Sequence, residues 1–193
     1  MGTHHKFLTA MIVLLFATTG VVAQTAPGNP VPPGFKLSPM ARATVFVRDV
    51  DASLKLYRDI LGLRLRVERD FPDERFNAVL GTNSATTKVR ILQSGDVVYG
   101  NVGLFQLTGG DTPAAASPSA SGRANPGDVA LVFNTSDING IAAAVKAAGY
   151  PIISMPMVLF PRDDMDTQAL EMLFRDKDGM LVNLIQAGKR KGG

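Results

Sequence analysis

The architecture of this chain can be deduced outward from the stretch Val45–Leu63, whose sequence is VFVRDVDASLKLYRDILGL. Its start is β-branched and apolar, which favours a strand at 43–47. Asp51 is a residue of the kind that caps helices, and it predicts a helix beginning at Ala52. Apolar residues then recur at helical spacing, at Leu54, Tyr57 and Leu61. Gly62 ends the helix, because glycine is common just beyond helix C-termini.

Three further strands follow this helix in the first half of the chain. Leu63–Arg69 alternates apolar and charged residues, as a half-buried strand does. Lys88–Leu92 and Val97–Leu107 are rich in apolar and β-branched residues, and a Ser-Gly-Asp turn at 94–96 separates them. The first half, residues 41–107, is therefore predicted to have the order β-α-β-β-β.

The second half, residues 128–187, repeats this order. Asp137 is expected to cap a helix that ends at Gly149, as its counterpart does in the first half. The apolar residues of that helix are Ile141, Val145 and Ala148. Strands are predicted at Val129–Phe133, Tyr150–Ser154, Leu170–Arg175 and Met180–Ile185, with a loop at Met155–Thr167. Residues 108–127 are rich in Gly, Ala, Ser and Pro and form the linker.

An internal repeat of this length is informative about architecture. We expect an α+β domain, residues 41–187, in which two paired βαβββ modules form a cupped mixed sheet with the helices on its outer face. Each module then has one face covered by its helix and one open face. The two open faces enclose a shared cavity.

The ends of the chain differ from this domain. Residues 1–23 have a weakly basic start, an apolar run and small residues at the end, which predicts a signal peptide cleaved after Ala23. An uncleaved membrane anchor is the alternative, although the apolar run is short for a span. Residues 24–40 form a Pro/Gly-rich leader and residues 188–193 a basic tail. The expected location is periplasmic or secreted, without membrane attachment after cleavage.

Charge and rare residues exclude several functions. Lys6 is the only charged residue before position 24, so the remainder carries 19 basic and 17 acidic residues. This near balance, without a basic stripe interleaved with aromatic residues, argues against nucleic-acid binding. The chain has no cysteine, which excludes disulfides and thiolate chemistry. Both histidines, His4 and His5, lie in the predicted signal peptide, so histidine catalysis is excluded as well.

The chain resembles the vicinal-oxygen-chelate superfamily, which includes glyoxalase, bleomycin-resistance and dioxygenase-like domains. Val45–Tyr57, followed by Leu61-Gly62-Leu63, matches the opening of that superfamily: a strand, the pattern x-D-x-x-x-S-x-x-F-Y, and a helix ending in L-G. Asp176-Lys177-Asp178-Gly179 matches its D-x-D-G turn before the last strand. The resemblance covers residues 41–187, and it implies the cupped fold and a homodimer.

The resemblance also implies where a metal would be held. In metal-dependent members the ligands come from four strands, and the matching positions here are Arg42, Gln106, Ala130 and Asn183. Arginine has no lone pair to donate, and alanine has no donor atom. The two amides are weak oxygen donors, too few for a divalent ion. We therefore expect no metal and no other cofactor, and neither extradiol dioxygenase chemistry nor a His-ligated fosfomycin-resistance site. A metal held atypically by carboxylates and amides is the alternative.

Strand alternation selects the candidate ligand-binding residues. They are Arg42, Thr44, Phe46, Leu104, Gln106 and Asn183, all expected on the open faces. Arg42 either binds a carboxylate or phosphate bidentately, or is solvated at the mouth of its strand. The other residues considered are Tyr99, Leu181 and Ile185 for an apolar lining, Arg64, Arg66 and Arg90 for positive charge, and Glu171 and Asp176 as the nearest acids.

Three functions remain open. The first is an exported domain that binds a small organic molecule in its cup without a metal, as bleomycin-resistance-like members sequester their ligands. The second is a lyase or isomerase of glyoxalase type, for which Arg42, Gln106 and Glu171 are the catalytic candidates. The third is an interaction module whose cavity has lost its function. The expected partners are a small-molecule ligand and a second copy of the chain.

Overall fold

The computed structural model describes residues 31–72, 74–110 and 122–192. The predicted signal peptide, residues 24–30 of the leader and residues 111–121 of the linker lie outside these ranges. Within the described ranges, no helix is both long enough and apolar enough to cross a bilayer.

The first half forms one four-stranded sheet. Its strands are β1 Arg42–Phe46, β2 Arg64–Phe71, β3 Thr86–Gln93 and β4 Asn101–Thr108. Their order across the sheet is β1-β4-β3-β2, with β1 parallel to β4 and the other neighbours antiparallel. Helix α1, Val50–Leu54, continues directly as a π-helical segment, Lys55–Ile60. A second helix, α2, Glu74–Leu80, lies between β2 and β3.

The second half repeats this topology. Its elements are β5 Ala130–Asn134, α3 Ile138–Ala147, β6 Ile152–Val158, β7 Met165–Thr167, β8 Leu170–Arg175, β9 Leu181–Gln186 and β10 Lys189–Arg190. The order β5-β9-β8-β6 corresponds strand for strand to the first sheet. The predicted repeat and the α+β class are confirmed. Two residues of the basic tail are not a free end, because β10 pairs antiparallel with β7.

Aspartate side chains cap the N-termini of α1 and α3. Asp49, rather than Asp51, is the N-cap of α1: its Oδ1 accepts the amide hydrogens of Asp51 and Ala52, each at 3.0 Å. The prediction of Asp51 as the cap is therefore wrong, and Asp51 lies in the first turn. The capping role of Asp137 is confirmed by its 2.9 Å bond from the amide of Gly140.

One apolar core on the helix side joins the two halves. Its members come from every second position of the strands and from both helical segments, and include Val45, Leu104, Val50, Tyr57, Leu131, Ile138, Val145, Phe174 and Leu184. The opposite face of each sheet is here called the cup face. It carries Arg42, Thr44 and Phe46 on β1, Gly103 and Phe105 on β4, Val132 on β5, Glu171 on β8, and Asn183 on β9.

Two elements differ from the sequence expectation. Helix α2, which was not predicted, covers part of the first cup face, where Phe76 stacks on Phe71 at 5.1 Å and lies 5.8 Å from Phe105. Strand β6 continues through Pro156 to Val158, where a loop was predicted. It is an edge strand with register shifts, and both features accommodate a proline.

Candidate functional site

The first half places a cation among phenyl rings on its cup face. The guanidinium carbon of Arg42 lies 5.1 Å from the centre of the Phe105 ring, within cation–π distance. Its Nε donates a hydrogen bond of 3.0 Å to Thr44 Oγ1. The ring of Phe46 meets Phe105 edge-on at 5.9 Å and is 53% exposed. Arg42, Thr44 and Phe46 therefore lie together in a cluster that faces solvent.

Gly103 provides the space for this arrangement. A Cβ atom at this position would lie 2.8 Å from Cδ of Arg42 and 3.1 Å from its Nε, so the arginine side chain would have to shift. The φ of Gly103 is not positive, so the backbone itself does not require glycine there. The missing side chain lets Arg42 lie flat across β4. We call Arg42, Thr44, Phe46, Gly103 and Phe105 the arginine–phenyl cluster.

The expected facing of Leu104 and Gln106 is wrong. Leu104 is fully buried in the core on the helix side. Gln106 turns to the same side, where its Oε1 accepts the amide hydrogen of Val50, in the first turn of α1, at 3.0 Å. The second half repeats the contact, since Gln186 Oε1 accepts from the amide of Ile138 at 2.9 Å. Gln106 is therefore a structural residue at a helix start, and the cup-facing positions of β4 are Gly103 and Phe105.

The second half has a different chemistry on its cup face. Asn183 Nδ2 donates a 2.8 Å hydrogen bond to Glu171 Oε1, and both side chains are half-buried. This bond orients the carboxylate of Glu171. Val132, the register partner of Asn183 on the neighbouring strand, is 59% exposed. Ala130 is exposed on the same strand and offers no donor. The second half thus contributes one carboxylate, one amide and apolar surface.

The other basic candidates do not join the arginine–phenyl cluster. Arg90 is buried on the helix side, with Nη1 2.8 Å from Asp70 and Nε 3.2 Å from Glu68. Arg64 is exposed and pairs with Asp96. Arg66 bonds to Gln93 Oε1. Tyr99 precedes β4 in a loop, whereas Leu181 and Ile185 do lie on the cup face of β9.

Asp176 joins the two halves of the domain and does not face the cup. Its Oδ2 accepts the hydroxyl hydrogen of Tyr57 at 2.8 Å, and its Oδ1 accepts from the amides of Asp178 and Met180. Burial raises the pKa of the Asp176 carboxyl, and burial also raises the pKa of Tyr57 well above its usual value. Arg48 adds an ion pair of 2.8 Å to Asp178. The two sequence motifs that carry the family resemblance therefore contact each other.

A crevice of about 280 Å³ lies between the two sheets, and Ala130 and Val132 of the cup face contribute to its lining. Residues of β1, β4 and β5 line it, together with Met40. None of its lining side chains is ionisable, and several belong to the helix side of their strands. The crevice offers apolar contact but no group for chemistry or for recognition of charge.

The cup does not supply the donors of a divalent metal site. At the superfamily's ligand positions, Arg42 and Ala130 have no usable lone pair, and Gln106 points to the other face. Glu171 and Asn183 remain, one carboxylate and one amide, which is less than such ions require. Within the described ranges, no group of three or more His, Asp or Glu side chains is placed to hold an ion.

Comparison with known proteins identifies the family to which this fold belongs. The profile of the Glyoxalase/Bleomycin resistance protein/Dioxygenase superfamily matches residues 40–184. The chain belongs to this superfamily. No curated protein sequence matches the chain.

Solved structures show the same fold. A glyoxalase family protein from Bacillus cereus is similar with a TM-score of 0.64 and 16% identity, over 81% of this chain and 98% of that one. A glyoxylase/bleomycin resistance protein/dioxygenase domain from Frankia sp. EAN1pec gives 0.52 and 18%, over 78% and 98%. A glyoxalase I mutant from Zea mays gives 0.54 and 22%, over 76% of this chain and only 44% of that one. At these identities the similarity extends to the fold alone.

Proposed function

We propose that this superfamily member binds a small organic molecule at its cup face without a metal ion. The observation that carries the proposal is the arginine–phenyl cluster, which occupies one of the family's metal-ligand positions with a guanidinium instead. Small-molecule sites combine apolar and aromatic lining with a few polar groups that fix orientation. Phe46 and Val132 supply exposed apolar surface, while Arg42 and Glu171 supply the polar groups.

The cellular setting is part of the same proposal. The composition of residues 1–23 supports export, and the family resemblance supports a homodimer. N-terminal sequencing of the protein from its native envelope or medium tests cleavage after Ala23, and light scattering of the purified protein tests the dimer. An intact N-terminus in a membrane fraction would reject export, and a monomeric mass would reject the dimer.

A thermal-shift screen of small organic molecules tests binding, because a ligand that prefers the folded state raises its melting temperature. A hit should be weakened by Phe46→Ser, which removes an exposed ring from the cup face. Val97→Ser is the matched control, because Val97 is also an exposed apolar residue, at 60%, but lies in the loop before β4. Stabilisation that both variants retain would place the ligand elsewhere and reject the cup.

Glu171 supports a second candidate function, a lyase or isomerase of glyoxalase type. Its carboxylate lies on the cup face and is oriented by Asn183, as a general base would be. Gln106 no longer contributes, because it faces α1. Glu171→Gln retains the shape of the side chain and removes the base. If the unaltered protein converts a bound ligand, and Glu171→Gln abolishes this turnover without weakening binding, the result would favour an enzyme over a binding protein.

A further inference from the structure

We infer that the ligand recognised at the arginine–phenyl cluster is a small aromatic carboxylate. The inference rests on the proposed function and names the chemistry of the molecule that the cup would hold. Arg42, Phe105 and Phe46 carry it, since they place a positive charge beside two aromatic rings on an open surface.

The guanidinium of Arg42 presents its outer edge for recognition. Its Nε is already used in the hydrogen bond to Thr44, whereas its two terminal nitrogens have no hydrogen-bond partner within the described ranges. No acidic side chain of those ranges lies within ion-pairing distance of Arg42 either. The two terminal N–H groups form the planar fork that matches the two oxygens of a carboxylate. A single fork suits a singly charged, planar anion.

The side chain is held in place before any ligand arrives. Thr44 accepts the hydrogen bond from Nε, the Phe105 ring lies within cation–π distance of the guanidinium carbon, and Gly103 leaves room for the aliphatic part. An exposed arginine ordinarily loses rotamer entropy when it binds an anion, and prior ordering reduces this cost. Gly103 therefore acts as a positioning residue for Arg42.

The neighbouring ring determines what is attached to the carboxylate. Phe46 lies edge-on to Phe105, and half of its surface is in contact with solvent. An aromatic ring of the ligand can bury this surface and take an offset-stacked or edge-on contact, which an aliphatic acid cannot make. The cluster therefore selects for a ligand that carries both a carboxylate and an aromatic ring.

The test compares benzoate with benzamide, its neutral analogue, and with acetate, which lacks the ring, by NMR titration of the purified protein. We expect benzoate to bind about tenfold more tightly than benzamide, because only benzoate makes a charge-assisted bidentate contact with Arg42. Benzoate should also bind more tightly than acetate, because acetate has no ring to cover the exposed surface of Phe46. Arg42→Gln should abolish the difference between benzoate and benzamide. Gly103→Ala should reduce it although it keeps the charge, because Arg42 must shift away from the new methyl group. Arg58→Gln, which removes an exposed arginine on the π-helical segment, should leave it unchanged.

The outcomes separate this inference from the proposed function. Equal affinity for benzoate and benzamide, equal affinity for benzoate and acetate, or a preference for benzoate over benzamide that survives Arg42→Gln in folded protein would each overturn the aromatic-carboxylate inference. A neutral hit from the small-molecule screen that Phe46→Ser weakens would leave the proposed function standing in that case. Failure of every molecule in the screen would remove both.

Discussion

Replacing Gln106 with alanine distinguishes a structural glutamine from a ligand-binding one. Gln106 Oε1 accepts the amide hydrogen of Val50, a fully buried residue at the start of α1, at 3.0 Å. Alanine would leave this amide without its hydrogen-bond partner. A buried donor left unsatisfied costs about 1–3 kcal/mol, so we expect the free energy of unfolding to fall by roughly 2 kcal/mol. For a domain of this size the melting temperature should drop by about 4–8 °C.

The assay is urea unfolding followed by circular dichroism, with the slope of the transition checked for constancy. Gln186→Ala is the matched variant, because Gln186 makes the same contact with Ile138 at 2.9 Å in the second half. Both variants should lose similar stability and keep their affinity for any cup ligand. An unchanged stability combined with lost ligand affinity in Gln106→Ala would refute our placement of this side chain.

Three further predictions concern stability. Tyr57→Phe leaves Oδ2 of the buried Asp176 without its donor and should lower the free energy of unfolding by about 2 kcal/mol in urea titrations; no loss would mean that the contact is unimportant. Burial raises the pKa of Asp176, so its stabilising contribution is present below the ordinary aspartate pKa of about 3.9 and is lost as pH rises through the raised value. The free energy of unfolding should therefore fall with pH in this range, and Asp176→Asn should remove that dependence. If the dependence persists in the variant, another group causes it. Gly62→Ala should lower the free energy of unfolding by about 1–2 kcal/mol in the same titrations, because Gly62 has a φ of +73° that strains a residue with a Cβ atom. No atom would clash with the new methyl group, so this backbone strain is the whole expected effect, and an unchanged midpoint would contradict it.

The repeat and most of the strands could be predicted from the sequence, because their periodicity reports burial directly. At the end of β1, Val45 and the following Val47 are buried while Phe46 is 53% exposed, so alternation assigns the faces correctly. In β9, Val182 and Leu184 face the core and Asn183 the cup, again with a clear pattern.

The facing of β4 could not be predicted in the same way. Residues 102–105 are buried on both faces, because the core covers one side and the arginine–phenyl cluster and α2 cover the other. Alternation carries no signal when both faces are buried, so neither alternation nor the resemblance could fix which face of β4 carries Leu104 and Gln106. Gln106 and Gln186 occupy matching positions in the two halves, and each accepts a hydrogen bond from an amide at a helix start. This repetition was the sequence signal for their shared structural role.

The arginine–phenyl cluster combines residues that sequence patterns do not connect. Arg42 and Phe46 were candidates, whereas Gly103 and Phe105 were missed because their role depends on the contact with Arg42 across a parallel strand pair. Helix α2 was also missed, since it is only seven residues long and its large apolar residues, Phe76, Val79 and Leu80, span little more than one turn. Long-range contacts of this kind appear only when the sheet is assembled.

The central claim, a cup that recognises ligands without a metal ion, is tested most directly by elemental analysis of the purified protein. The protein is incubated separately with Zn²⁺, Ni²⁺, Mn²⁺ and Fe²⁺, desalted and analysed, alongside Glu171→Gln. We predict far less than one ion of any metal per chain in both proteins, because no three His, Asp or Glu side chains of the described ranges are placed to hold an ion. One retained ion per chain in the unaltered protein, lost in Glu171→Gln, would contradict the account.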